Sequence, residues 1–292
     1  MGRFDARQFC TEEQKQFFKE IEAAGGGRMS PLETFEDACR VFALTLHNPI
    51  LKGMCRDDEF EKYERQHIEI MKRYGEGGVH IAKAFSVLVN ALEKDRKDFL
   101  GQIMERIGAT DKYKSQFFTP IHISEFMGRI IALDETGGPG ININEKVKRG
   151  EMVTLNDPCC GAAVLLIAGA EMLMQSGVPQ SQLMIYAEDL GELTFNVAYT
   201  QLSLLGYAAQ VTKMDSLSRQ VYEGPWHTMG YFAHRVPQRM RFLAVVDTLK
   251  EAINLRKPVE PEADAAPALP PEEPPMPPVS TGATQLELDF GP

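Results

Sequence analysis

At 292 residues, 43% of them hydrophobic, the chain is long enough to bury a core in one large domain or two modest ones. No stretch approaches the roughly eighteen uninterrupted apolar residues of a membrane span, no apolar leader follows Met1, and five cysteines (Cys10, Cys39, Cys55, Cys159, Cys160) without paired ligand spacing argue against a disulfide framework and a zinc site, so a cytoplasmic protein without metal is expected. The net charge of −10 speaks against a nucleic-acid partner only until it is located: every Lys and Arg precedes Pro258 while seven acids follow it, which leaves residues 1–257 at −3.

Residues 1–110 are expected to form a helical N-terminal domain. Thr11-Glu12-Glu13-Gln14 caps a first helix that Gly25-Gly26-Gly27 stops. Ser30-Pro31-Leu32-Glu33 supplies an N-cap serine, a proline at the first helical position and the glutamate of a capping box, opening a second helix expected to end near His47-Asn48-Pro49. Residues 57–74 and 79–107 are charged and free of proline, with apolar residues such as Ile81, Phe85, Leu88, Val89 and Leu92 at helical spacing, and read as two long helices.

From about residue 111 the pattern changes to short β-like runs, each leading into a helix. Met152 to Leu155 precedes a helix over 161–176 closed by Gly177, Leu183 to Ala187 precedes another closed by Gly206, and Ala209 to Thr212 is a third strand. Repeated strand–helix units imply a parallel sheet whose ligands sit beyond the carboxyl ends of its strands. His234 to Arg241 concentrates basic side chains that could meet phosphates, with a plain solvated face as the alternative. After Pro258 the composition shifts: ten of the eighteen prolines lie in residues 258–292, which cannot bury a core and read as a disordered, partly polyproline-II tail.

Four motifs fall at these strand ends in order: Gln116 to Pro120, Asp157 to Gly161, Ala187-Glu188-Asp189, and Lys213 to Leu217. Asp157-Pro158-Cys159-Cys160-Gly161 follows a strand and opens a helix, so its backbone can approach a ligand while the acid accepts hydrogen bonds. Glu188, 31 residues further on, lies where an acid accepts both hydroxyls of a ribose, and Asp215 would face the base. Each motif alone has an ordinary reading as a turn, a pair of core phenylalanines or a solvated helix start, and only their joint placement points to a nucleotide-like ligand.

Together these motifs resemble those of the S-adenosylmethionine-dependent DNA N6-adenine methyltransferases, especially the methylation subunits of type I restriction-modification systems. Phe117-Phe118-Thr119-Pro120 is similar to that family's FYTP-type motif, which packs against the cofactor, and the loop from Asp157 to Gly161 is similar to its DPACGSG loop; the resemblance covers roughly residues 80–217. It implies an α/β fold: a helical N-terminal domain (1–110), a truncated Rossmann-like methyltransferase domain (111–257) and the tail (258–292). It also implies S-adenosylmethionine held by Phe117, Phe118, Thr119, Pro120, Asp157, Pro158, Cys160, Gly161, Glu188, Asp189 and Asp215, with DNA as the partner acted upon.

Two departures qualify what the resemblance implies. Ala163 stands where the family has a second loop glycine, which places a Cβ where backbone would approach the cofactor. No [Asp/Asn]-Pro-Pro-[Tyr/Phe] motif is present to hold the amine of a flipped adenine and stack its ring. Glu223-Gly224-Pro225-Trp226 is the candidate substitute, with Glu223, Pro225 and Trp226 as catalytic residues, and an anchoring aromatic in a loop as the alternative for Trp226. The resemblance thus implies either an adenine-specific DNA methyltransferase, its site completed by a second methyltransferase or specificity subunit, or a catalytically inactive DNA- and cofactor-binding module of regulatory or anti-restriction kind.

The end of the tail stands apart. Gln285-Leu286-Glu287-Leu288-Asp289-Phe290 fits a QLxLxF pattern that resembles peptides binding the bacterial DNA polymerase sliding clamp, in which Gln285 would hydrogen-bond while Leu286, Leu288 and Phe290 enter apolar pockets.

Overall fold

The computed structural model describes residues 11–108 and 141–236, with single positions at 123 and 238. All of them lie in one unit, Met1–Val246. Elements are numbered here among the described residues.

Side-chain caps start the first two helices as expected. The Gln14 N–H donates to Thr11 Oγ1 ahead of α1 (Glu12–Gly25), and the Glu33 N–H to Ser30 Oγ ahead of α2 (Pro31–Gly53), each at 3.1 Å. The second helix does not stop at Pro49. Proline removes one backbone hydrogen bond, but Ile50 and Leu51, 6% and 1% exposed, pull the following turn into the core and the helix runs on to Gly53. α3 (Asp57–Tyr74) keeps its expected span and buries Tyr63 and Tyr74.

The single helix expected over 79–107 is two, α4 (Gly78–Lys94) and α5 (Leu100–Arg106), separated by Asp95 in extended conformation. Asp98 accounts for the restart: its carboxylate accepts the Gly101 N–H at 2.8 Å, a local side-chain bond that competes with a continuous helix. The helices close on aromatic rings. Phe17 meets Phe35, Phe42 and Phe99 edge-on, with centroids 6.3, 6.3 and 5.6 Å apart.

α6 (Ile141–Lys148) precedes the expected alternation: β1 (Val153–Asp157), α7 (Val164–Gln175), β2 (Leu183–Asp189), α8 (Glu192–Leu204) and β3 (Ala209–Asp215). β1 pairs with β2 and β2 with β3, both parallel, with Val153 opposite Leu183 and Ile185 opposite Ala209. β4 (Gln220–His227) has no counterpart in the sequence reading. It returns antiparallel along β3, giving the order β1-β2-β3-β4, and it contains Pro225. Among the described residues β4 lies at the sheet edge, where proline is tolerated because its missing N–H interrupts no second ladder. After α9 (Met229–Ala233), Val236 packs with Met152, Met184 and Ala208 at the amino ends of the strands.

α8 occupies the centre. Every residue from Leu193 to Leu202 is buried, because α2 covers one side and the sheet the other, and a helix covered all round needs no polar stripe. Phe195 and Leu202, both 0% exposed, each contribute about 1.5–3 kcal/mol by burial. One apolar core consequently runs from Phe17 in α1 to Trp226 in β4. No helix among the described residues is long and apolar enough to cross a membrane.

Candidate cofactor site

The loop from Asp157 to Ala163 leaves the carboxyl end of β1 and lies across the end of β2. The Cys159 N–H donates to Asp157 Oδ1 at 3.0 Å, the Cys160 N–H to the Glu188 carbonyl at 2.9 Å, and the Gly161 N–H to Asp189 Oδ2 at 2.9 Å. Gly161 (φ 55°) and Ala163 (φ 68°) both turn through the left-handed region. The position where the sequence lacks a family glycine is therefore one whose backbone favours glycine. Alanine costs about 1–2 kcal/mol there, and burial of its methyl group, 0% exposed, returns roughly 0.8 kcal/mol.

The acids at the strand ends divide by task. Asp189 is 7% exposed and gives both oxygens to the fold: Oδ1 accepts from the Gly191 N–H at 2.8 Å and the Thr194 hydroxyl at 2.5 Å, while Oδ2 holds Gly161. The sequence grouped Asp189 with the cofactor ligands; its geometry ties the loop to the start of α8 instead. Glu188 is half-buried, and its Oε2 accepts from Ser216 Oγ at 3.2 Å and from Arg219 Nη1 at 3.3 Å. Asp215 Oδ1 caps its own turn by accepting the N–H groups of Leu217 (2.9 Å) and Ser218 (3.2 Å). Those bonds, Ser218's foremost, hold its carboxyl below the usual range, whereas burial, then the neighbouring Asp189, push that of Asp157 up.

Ser216 joins the three loops. Its hydroxyl lies within hydrogen-bonding reach of both the Pro158 carbonyl and Glu188 Oε2 and shares its one proton between them, so the β1, β2 and β3 ends meet through one side chain. Pro158 and Cys159 are exposed beside it, and Cys160 is buried. Sequence reasoning missed Arg219 and Leu190 (57% exposed), and it included Ser216 and Leu217 (98% exposed) in the motif from Lys213 to Leu217 without giving either a role. The available signal was an apolar residue one or two positions after an acidic strand end, where a loop offers it no burial. Phe117, Phe118, Thr119 and Pro120, and at the other end Gln285, Leu286, Leu288 and Phe290, lie outside the described residues, as does most of the basic run to Arg241.

The residues expected to be catalytic lie elsewhere, on β4. Asp215 pairs with Gln220 at the cofactor end of the sheet, but Trp226 pairs with Val211, toward the other end. Trp226 is 2% exposed: His47 stacks on it at 3.9 Å and 10°, and the rings of Tyr63, Phe195 and Tyr199 meet it edge-on. Its ring does core packing and presents no free stacking face to a flipped base. Glu223 is likewise engaged, by Arg40 Nη2 at 2.7 Å, and the Arg40 guanidinium also reaches Asn196 Oδ1 (3.1 Å), Gln66 Oε1 (2.8 Å) and the Trp226 ring, 5.2 Å to its centroid. Glu223, Pro225 and Trp226 border a groove of about 1230 Å³ bounded by α2, α3, α8 and β4.

His47 is neutral in this setting. Burial first, then the charges of Arg40, Arg56 and His227, push its pKa down to about 3. Tyr199 Oη donates to the His227 carbonyl at 3.2 Å, so the 3.3 Å contact between the same oxygen and His47 Nδ1 has the histidine as donor.

The family model described as N-6 DNA Methylase matches residues 95–245. No curated protein matches the chain. Among solved structures, a Listeria monocytogenes chain assigned to the class I S-adenosylmethionine-dependent methyltransferases is 15% identical with a TM-score of 0.38, over 74% of this chain and 57% of that one. The methyltransferase subunit of a type I restriction-modification system from Streptococcus thermophilus is 18% identical with a TM-score of 0.36, over 69% of this chain and 39% of its own. This chain therefore spans less than two thirds of either solved chain. The family match runs from the break between α4 and α5 to beyond α9, over half of the sequence, and the chain belongs to the N-6 DNA methylase family.

Proposed function

We propose that this chain binds S-adenosylmethionine beyond the carboxyl ends of β1, β2 and β3 and serves the methylation of adenine N6 in DNA, within a restriction-modification setting in which a second methyltransferase or specificity subunit completes the site. One observation carries the reading: Ser216 brings the Asp157–Ala163 loop, Glu188 and the turn after β3 to a single point on the sheet. The residues there fit such a cofactor. Glu188 already accepts from a hydroxyl and a guanidinium, the donor type that ribose hydroxyls offer, and the neighbouring loops expose Leu190 and Leu217, the apolar surface an adenine ring needs.

When bound, the cofactor would supply a methyl group activated by its sulfonium charge. The chain's own part is to bind and orient: Glu188 would accept from the ribose, the loop held by Asp157 and Asp189 would keep its backbone in place, and Leu190 and Leu217 would exclude water from the base. Because Trp226 and Glu223 are engaged in packing, the acceptor and stacking surface for the target adenine are assigned to the second subunit, and the chain alone is expected to transfer no methyl group. Calorimetry with S-adenosylmethionine tests the cofactor claim. Wild type should bind, and Asp157→Ala and Glu188→Ala should each weaken binding by about 1–3 kcal/mol, the usual cost of leaving polar partners unmatched. A wild-type protein without detectable binding would sink the proposal.

Recruitment to the replication clamp belongs to the same proposal. The alternating Leu286, Leu288 and Phe290 suit an extended peptide that inserts one face, and the 27 residues from Pro258 to Thr284 would reach roughly 30 Å as a coil or roughly 80 Å as polyproline II. The last fifteen residues should bind purified clamp, and Leu288→Ala/Phe290→Ala should abolish that binding; equal binding by both peptides rules the clamp out.

A further inference from the structure

The back of the cofactor loop is held by the helical part of the chain through one side chain. Gln201 of α8 is 0% exposed, and its amide makes four hydrogen bonds. Oε1 accepts the N–H groups of Phe99 (2.7 Å) and Leu100 (3.0 Å) at the start of α5, while Nε2 donates to Asp98 Oδ1 (2.9 Å) and to the Ala162 carbonyl (3.0 Å) in the loop. The partners fix the orientation of the amide: two N–H donors on one side and two acceptors on the other permit only this assignment, and both amide hydrogens and both oxygen lone pairs are used.

Packing reinforces the contact. A Cβ added at Gly101 would lie 2.6 Å from the Ala162 Cβ and 2.5 Å from Asp98 Oδ2, so α5 approaches the loop as closely as backbone allows. Ala162 itself is 0% exposed and sits between the two left-handed residues, Gly161 and Ala163. In sequence, α5 is followed within about ten residues by Gln116 to Pro120, the other motif assigned to the cofactor.

We propose that Gln201 is a positioning residue for cofactor binding: it locks the Cys160–Val164 turn to the start of α5, so that the helical part of the chain sets the shape of the cofactor loop. The inference rests on the cofactor reading above for its function, while its physical content can be measured without cofactor. The loop and the core carry their own reporters. Cys160, 4% exposed, lies inside the turn; Cys39, 0% exposed, lies in α2 and answers only to opening of the core; Cys55 and Cys159 are exposed.

Full-length protein should be alkylated with iodoacetamide at mildly alkaline pH and each cysteine followed by peptide mass spectrometry. In wild type, Cys160 and Cys39 should both be protected. Gln201→Glu keeps the acceptor for Phe99 and Leu100 but removes the donors to Asp98 and Ala162, so Cys160 should react at least about tenfold faster while Cys39 stays protected. Gln201→Met removes all four bonds and should raise Cys160 further. Where Gln201→Met opens the whole core, Gln201→Glu decides. Cys160 and Cys39 accelerating by the same factor in both variants, or Cys160 unchanged in both, overturns the proposal. In parallel calorimetry, Gln201→Glu should lose about tenfold or more in S-adenosylmethionine affinity with Cys39 still protected. Unchanged affinity in the face of a freed Cys160 would reject the positioning role. Failure of wild type to bind would reject the cofactor reading, leaving the thiol ratio to decide the lock.

Discussion

Trp226→Ala is expected to destabilise the protein by about 3–5 kcal/mol, the usual cost of removing a large aromatic from a packed core. The ring is 2% exposed and sits among His47, Tyr63, Phe195 and Tyr199, which come from three helices, α2, α3 and α8. No single neighbour can relax to fill the space, so the upper part of the range applies. Urea unfolding should show the loss directly, and S-adenosylmethionine binding should fall with the folded fraction. Trp226→Phe keeps an apolar ring and should cost less, since what is lost is the fuller stack on His47, the broader face beneath Arg40 and the indole hydrogen bond with Tyr63. The opposite pattern, with stability retained and methyl transfer abolished in the presence of a partner subunit, would return Trp226 to the flipped base.

How far the sequence could be read depends on whether a signal is local. Caps are local, and Thr11 and Ser30 start their helices as the residues around them dictate. Strand–helix alternation is also local, which is why β1, β2 and β3 and their parallel pairing were legible, together with the loop whose left-handed Ala163 stands where the family has glycine. The misses are tertiary. Pro49 stays inside α2 because Ile50 and Leu51 have a core to enter, and the sequence does not display that core. Asp98 restarts the helix with its own local bond to Gly101, but it is fixed in that place by Gln201 of α8, 103 residues later in the chain, which the sequence does not display. Glu223 to Trp226 looked like a loop offering an acid and an aromatic to a ligand. It is a strand, the edge one among the described residues, since β3 offers it a ladder and Arg40, 183 residues away, offers its acid a partner. Asp189 was read as a ligand beside Glu188; its oxygens accept from Gly161, Gly191 and Thr194, and the bond to Gly161, 28 residues away, is not displayed by the sequence.

That distant partnership is itself open to measurement, and Arg40→Met is expected to destabilise by about 3–5 kcal/mol. Arg40 and Glu223 have side chains only 9% and 12% exposed, so removal of the cation strands a carboxylate with little water to take its place. Gln66 and Asn196 lose a donor at the same time. The groove beside the pair admits some solvent, which moves the expectation toward the lower end of the range. Glu223→Leu alone strands the guanidinium instead, though Gln66, Asn196 and the faces of Tyr63 and Trp226 still receive it, so this variant should suffer less. The discriminating protein is Arg40→Met/Glu223→Leu. Apolar side chains of similar length replace both charges, and the double variant should recover most of the stability lost by Arg40→Met, giving a coupling energy of a few kcal/mol in a double-mutant cycle. Losses that simply add would mean that the two residues act independently and that β4 is held to α2 by the contacts of Trp226 with His47 and Arg40 rather than by the charge pair. Recovery would mean that a buried charge pair, 183 residues apart in sequence, fixes where β4 meets the helices.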